Sequence, residues 1–138
     1  MFRSPRATGL AGVIFSCALL APAQGAGAFE LSGAWATDAD LCNRVFTRKD
    51  NQVTFAELSD LYGSGFVIDG NRIIGKAAQC TIESKKQDGN SLEISAACAT
   101  SIMRQNVKFN LKIIDDNAIN RTIEEVPGMT IKYSRCKL

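Results

Sequence analysis

From residue 107 to 113 the chain alternates apolar and polar positions without a break, Val107-Lys108-Phe109-Asn110-Leu111-Lys112-Ile113. That period of two belongs to a strand with one buried and one wet face. The alternation recurs in Thr81-Ile82-Glu83-Ser84, in Leu92-Glu93-Ile94-Ser95 and in Met129-Thr130-Ile131-Lys132-Tyr133-Ser134. Shorter β-prone runs stand at Gly65-Phe66-Val67-Ile68, Arg72-Ile73-Ile74-Gly75 and Ala118-Ile119-Asn120-Arg121-Thr122-Ile123. Between them fall Asp69-Gly70-Asn71, Asp88-Gly89-Asn90 and Asp115-Asp116-Asn117, residue types that tolerate positive φ or bond their own backbone in tight turns. The pattern predicts a hairpin at each tripeptide, with a last strand after Pro127-Gly128 that ends near Cys136.

Helical signal is confined to short pieces. Thr37-Asp38-Ala39-Asp40 resembles a capping start for residues 38–46, and Thr54 with Glu57 predicts a capped turn through Tyr62. Residues 100–105 are ambiguous between periods. Many short strands joined by tight turns predict an all-β fold. It is a small antiparallel up-and-down meander with one or two short helical turns, closed or nearly closed into a barrel, because closure removes unpaired edges. An open sandwich is the alternative.

The amino end changes the picture of length and charge. Arg3 and Arg6 precede an apolar run from Gly9 to about Pro22, and small residues follow up to Ala26-Gly27-Ala28. This is the layout of a secretory signal peptide over residues 1–28, and the run is shorter than the ~20 residues of a spanning helix. Ile14-Phe15-Ser16-Cys17 has the outline of a lipoprotein cleavage box, but Phe15 fits it poorly and the apolar run continues past Cys17. Cleavage after Ala28 leaves a single domain over residues 29–138. That domain carries fourteen Lys+Arg against fourteen Asp+Glu, since the segment removed holds two arginines and no acid. A neutral domain gives no electrostatic reason to bind nucleic acid or an anionic membrane, and no stable membrane insertion is expected.

Four cysteines remain, Cys42, Cys80, Cys98 and Cys136, an even number in a small exported chain, which reads as two disulfides in an oxidising compartment, periplasmic or extracellular. Residues 80–98 centre on Gly89, so folding back there brings Cys80 opposite Cys98 and leaves Cys42 with Cys136. The sequential pairing, Cys42 with Cys80 and Cys98 with Cys136, fits the symmetry of the spacing equally well. No Cys-x-x-Cys is present, so a thioredoxin-like role lacks its motif.

The chain contains no histidine, which removes Ser-His-Asp, Cys-His and His-bearing zinc sites as self-contained chemistry. Asp115-Asp116 and Glu124-Glu125 are adjacent carboxylates, but neighbours on a strand face opposite ways and make no natural acid/base couple. Residues 48–57 resemble the second half of an EF-hand loop. With Glu57 as last ligand, Phe46 and Arg48 fall at ligand positions and Asn51 where glycine belongs, so the site fails. No enzyme activity, metal or cofactor is expected.

Leu31-Ser32-Gly33-Ala34-Trp35 resembles the Gly-x-Trp opening of lipocalin-like small β-barrels, including bacterial periplasmic inhibitors of secreted metalloproteases. In those a cysteine also follows the tryptophan, as Cys42 follows Trp35. The resemblance covers about fourteen residues. It implies that the amino-terminal segment enters a protease cleft, which makes Phe29, Glu30 and Leu31 candidate binding residues. The two further cysteines depart from that pattern. On the residues alone, Gly33 lets the backbone turn and Trp35 plugs one end of the core, and Phe29 to Ser32 precede that anchor and are expected to be dispensable to the fold. Tyr62-Gly63-Ser64-Gly65 is similar to the Ser-Gly loop with which some periplasmic lysozyme inhibitors fill an active site, so Tyr62, Ser64 and Phe66 join the candidates. Such a loop also serves as an ordinary connection.

Two function classes follow. One is a non-catalytic binding module of the cell envelope, presenting loops to a periplasmic or extracellular protein or holding a small apolar ligand in the barrel. The alternative is a periplasmic inhibitor of a hydrolase. So short a chain leaves little barrel volume after its own side chains fill it, which tilts the first class toward protein partners.

Overall fold

A computed structural model describes residues 27–138. The signal segment expected over residues 1–28, with Cys17, lies outside the described residues apart from Gly27 and Ala28. Among the described residues ten strands form: β1 (Gly33–Ala36), β2 (Phe46–Lys49), β3 (Gln52–Phe55), β4 (Gly65–Asp69), β5 (Arg72–Ile74), β6 (Gln79–Asp88), β7 (Ser91–Ala99), β8 (Arg104–Asp115), β9 (Ala118–Thr122) and β10 (Thr130–Arg135). Eight of them close into an antiparallel barrel in the order β1-β10-β9-β8-β7-β6-β5-β4, with β4 returning to β1. The meander expected from the alternation is therefore a closed barrel, not a sandwich.

Period two sorts the side chains into two cores. Trp35, Ile68, Ile73, Ile94, Leu111 and Ile119 fill the interior. On the outer wall, Ala34, Ala36 and Val67 pack under Val45 and Phe46, which belong to a single-turn helix α1 (Cys42–Val45) and to the separate β2–β3 hairpin. The alternation of large Trp35 inward with small Ala34 and Ala36 outward lets this second layer lie close to the sheet. Gly65 is required for the same reason. A Cβ there would overlap the Trp35 carbonyl and meet the Phe46 ring at 2.8 Å.

The β2–β3 hairpin was not legible as a strand pair in the alternation, and it corrects two expectations. The helical piece expected over 38–46 divides into a 3-10 turn (Ala39–Leu41), α1 and the first residue of β2. Asp38 caps the start as expected, its side chain accepting from the Asp40 amide at 2.9 Å. Thr54 lies in β3 and caps nothing; the following 3-10 turn, Ser59–Leu61, starts after Leu58 at φ 58°. Asp50 and Asn51 both take positive φ, 50° and 63°, as a two-residue hairpin whose twist matches its strands requires. The three tripeptide turns form where expected, by two means. Gly70 and Gly89 take φ near +60°, whereas at Asp115-Asp116-Asn117 no residue has positive φ and the Asn117 amide donates to Asp115 Oδ1 at 2.7 Å. In the ambiguous stretch, Thr100 to Met103 turn and Arg104 and Gln105 begin β8.

The disulfides follow the nested pairing. Cys80 lies directly opposite Cys98 in the β6–β7 ladder, Cα atoms 3.9 Å apart, and Cys42 joins Cys136 with Cα atoms 5.6 Å apart. Two disulfides in one small barrel are a feature of chains folded in an oxidising environment. Replacing Cys42 and Cys136 by serine is expected to lower unfolding free energy by about 4–5 kcal/mol, against about 3 kcal/mol for Cys80 and Cys98, because the longer loop is released. Urea midpoints of the two double variants measure the difference. Hydrogen exchange at the Cys136 amide, which donates to the Ala34 carbonyl at 2.8 Å, should accelerate only in the first variant; equal midpoints and unchanged exchange would contradict the assignment.

Candidate functional site

The two ends of the barrel are built differently. At the end that carries the Gly70-Asn71, Gly89-Asn90 and Asp116-Asn117 turns, the amino-terminal segment folds back over the core. Leu31 is 2 % exposed and its carbonyl accepts from Trp35 Nε1 at 2.9 Å. Arg135 lies 4.3 Å from the Trp35 ring centre and donates to three carbonyls, those of Glu30, Ser32 and Asp116. The Phe29 ring stands 6.3 Å from that of Trp35, and the Phe29 amide donates to Gln87 Oε1. The Glu30 carboxylate is fully exposed. It is held below the usual carboxylate range by hydrogen bonds from the Ser32 side chain and then from the Ser32 amide. A lowered folded value means that this small stabilisation is present above the ordinary carboxylate pKa and is lost as pH falls through the lowered one.

These contacts correct the expectation that Phe29 to Ser32 are dispensable. Leu31 is core, and the backbone of Glu30 and Ser32 supplies two of the three carbonyls that accept from Arg135.

At the opposite end, where β1, β5, β7 and β9 finish, the interior is not filled. A cavity of about 230 Å³ lies among Phe66, Ile73, Ile94, Phe109, Leu111 and Tyr133, and Ser64, Gly65, Gly75 and Ala78 form its rim. Phe66 and Tyr133 meet edge to face with ring centres 4.9 Å apart. The one charged side chain in the lining is Arg121. Its Cζ sits 4.8 Å from the Phe109 ring centre, and its Nε is buried without a hydrogen-bond partner. Leu58, Leu61, Ile102, Met103, Val126 and Met129 are exposed on loops at this same end. A larger depression, about 510 Å³, lies over Ala97 and Ala99 on the outer wall, but it is a shallow solvent-facing surface with Arg72 and Arg104 at its edges.

The sequence candidates thus separate. Phe29, Glu30 and Leu31 sit at the plugged end. Ser64 and Phe66 are brought together at the cavity, while Tyr62 packs into the outer layer under the Arg44 guanidinium, 5.3 Å from its ring centre. The 62–65 loop is tied down by the Thr37 amide, which donates to the Ser64 carbonyl at 3.0 Å. Arg121 escaped the sequence reading, although its signal was present: it shares the parity of Ile119 and Ile123 and so faces inward with them. The adjacent carboxylates are exposed and engaged locally, Asp115 with the Asn117 amide and Glu124 with the Asn110 side chain.

Leu31→Ala is expected to destabilise the protein by about 2–5 kcal/mol, as for a large-to-small change in a packed core. Removing Phe29 to Ser32 should lower the melting temperature further, since Arg135 then loses two of its three acceptors. Thermal unfolding followed by circular dichroism tests both; an unchanged midpoint would show that the segment is not part of the fold.

Comparison of the chain with protein-family models, with curated proteins and with solved structures finds no match.

Proposed function

We infer that this protein is an exported, non-catalytic binding module of the cell envelope, periplasmic or secreted, that takes a small apolar ligand into the open end of its barrel. The observation that carries the reading is the cavity of about 230 Å³, walled by aromatic and aliphatic side chains and rimmed by Ser64, Gly65, Gly75 and Ala78. A concave apolar site with one polar anchor is the usual form of a small-ligand site. The exposed apolar side chains on the loops of the same end give such a ligand a path of low desolvation. The absence of histidine and the local engagement of the acidic pairs support binding without turnover. The two disulfides and the amino-terminal sequence support export.

Inhibition of a hydrolase is the second reading. Insertion of the amino-terminal segment into a cleft would remove Leu31 from the core and uncouple Arg135, which weighs against that route. The apolar loops around Leu58, Leu61 and Ile102, 64 %, 73 % and 90 % exposed, favour a protein partner at the open end instead.

Titration with octan-1-ol should shift the methyl NMR signals of Ile73, Ile94 and Leu111, and Ala78→Trp, which fills the rim, should abolish the shifts while leaving the disulfides intact. Methyl signals that ignore the alcohol, or an Ala78→Trp variant that responds like the parent, would remove the ligand reading. Capture of a periplasmic protease or lysozyme through the same loops would favour the inhibitor.

A further inference from the structure

We propose that the cavity holds a short-chain amphiphile with a single carboxylate head, and that the guanidinium of Arg121 receives that head. This rests on the binding-module reading above and names the chemistry of its ligand.

The barrel interior contains two arginines on neighbouring strands, and the comparison between them carries the argument. Arg135 on β10 is engaged through all three guanidinium nitrogens, each donating to a carbonyl, and the Trp35 ring covers it. Arg121 on β9 also points inward, between its register partners Leu111 and Ile131. Among the described residues it makes no ion pair and its Nε has no hydrogen-bond partner. Among the described residues only one other buried side-chain polar atom is left in that state, Ser59 Oγ, in the Ser59–Leu61 turn outside the cavity lining. Phe109 stacks at 4.8 Å from Arg121 Cζ, which orients the guanidinium plane without occupying its edge.

Arg121 is half-buried and its Nε is desolvated without a partner, so an anion that reaches the guanidinium recovers a lost hydrogen bond. No residue lining the cavity carries a carboxylate, so the anion has to come from outside the chain. The guanidinium fork matches a planar carboxylate with two parallel N–H donors. Size limits the rest of the molecule. About 230 Å³ is the space of roughly eight water molecules at ~30 Å³ each. That suits an acyl chain of around eight carbons and leaves the rest of a full-length lipid tail outside the mouth.

Octanoate, octan-1-ol and hexadecanoate distinguish the parts of the proposal in the same methyl-shift titration at neutral pH. Octanoate is expected to bind on the order of tenfold or more tighter than octan-1-ol, the scale of a hydrogen bond to a charged group. Arg121→Gln should erase that preference while octan-1-ol still shifts Ile94 and Leu111, and Arg121→Lys should keep part of it. Hexadecanoate should bind more weakly than octanoate. If octan-1-ol binds as tightly as octanoate to the unaltered protein, or if the preference survives Arg121→Gln, Arg121 is a solvated cation and the proposal fails while the cavity reading stands. If hexadecanoate binds more tightly than octanoate, the size argument is wrong. If none of the three shifts the cavity methyls, the binding-module reading fails as well. Should Arg121→Gln not fold, the octanoate-to-octanol ratio of the unaltered protein and of Arg121→Lys decides the matter.

Discussion

The barrel depends on one seam. β1 is four residues long, yet it must pair with β4 on one side and β10 on the other for the sheet to close. On the β10 side the ladder has only two register pairs, Trp35 with Arg135 and Ala36 with Ser134, where β7 and β8 share nine. So short a ladder contributes little by itself, and several interactions of a different kind gather there. The Cys42–Cys136 disulfide ties α1 of the outer layer to the end of β10, the Cys136 amide donates to Ala34, and Arg135 bridges Trp35 to the backbone of Glu30 and Ser32. Without closure, β1 and β10 would be exposed edges, and edges invite intermolecular pairing.

Fastening the seam in this way fixes which end of the barrel is filled. Leu31 and Trp35 enter the interior from the seam side, and together with Ile119 they occupy the end where the amino-terminal segment returns. Nothing comparable enters from the other end. There Gly75 and Ala78 contribute little bulk to the rim.

Within that arrangement the two inward arginines divide by environment. At the plugged end the returning chain supplies carbonyls, so Arg135 is structural. At the open end Arg121 sits over the Phe109 ring in a mostly apolar lining, and its Nε meets no acceptor. Identical side chains on adjacent strands have different consequences because the returning amino-terminal segment brings carbonyls to one of them and not to the other.

Much of this was legible in the chain. The alternation in 107–113 and 129–134, the tripeptide turns and the placement of Cys80 and Cys98 about Gly89 are local features, and local features are decided by sterics and period within a few residues. They determined an antiparallel all-β domain with one disulfide closing a hairpin. The β2–β3 hairpin was obscured because Thr47, Arg48 and Lys49 are all exposed, which leaves no alternation to read, although Asp50-Asn51 carried the turn signal. Only the tertiary structure decided how the barrel closes, that Leu31 belongs to the core, and that Arg121 stands unpaired in a cavity. Each of these depends on contacts between residues far apart in the chain. The acceptors that satisfy Arg135 and the empty volume beside Arg121 are made by several strands at once, and no single stretch of sequence contains them.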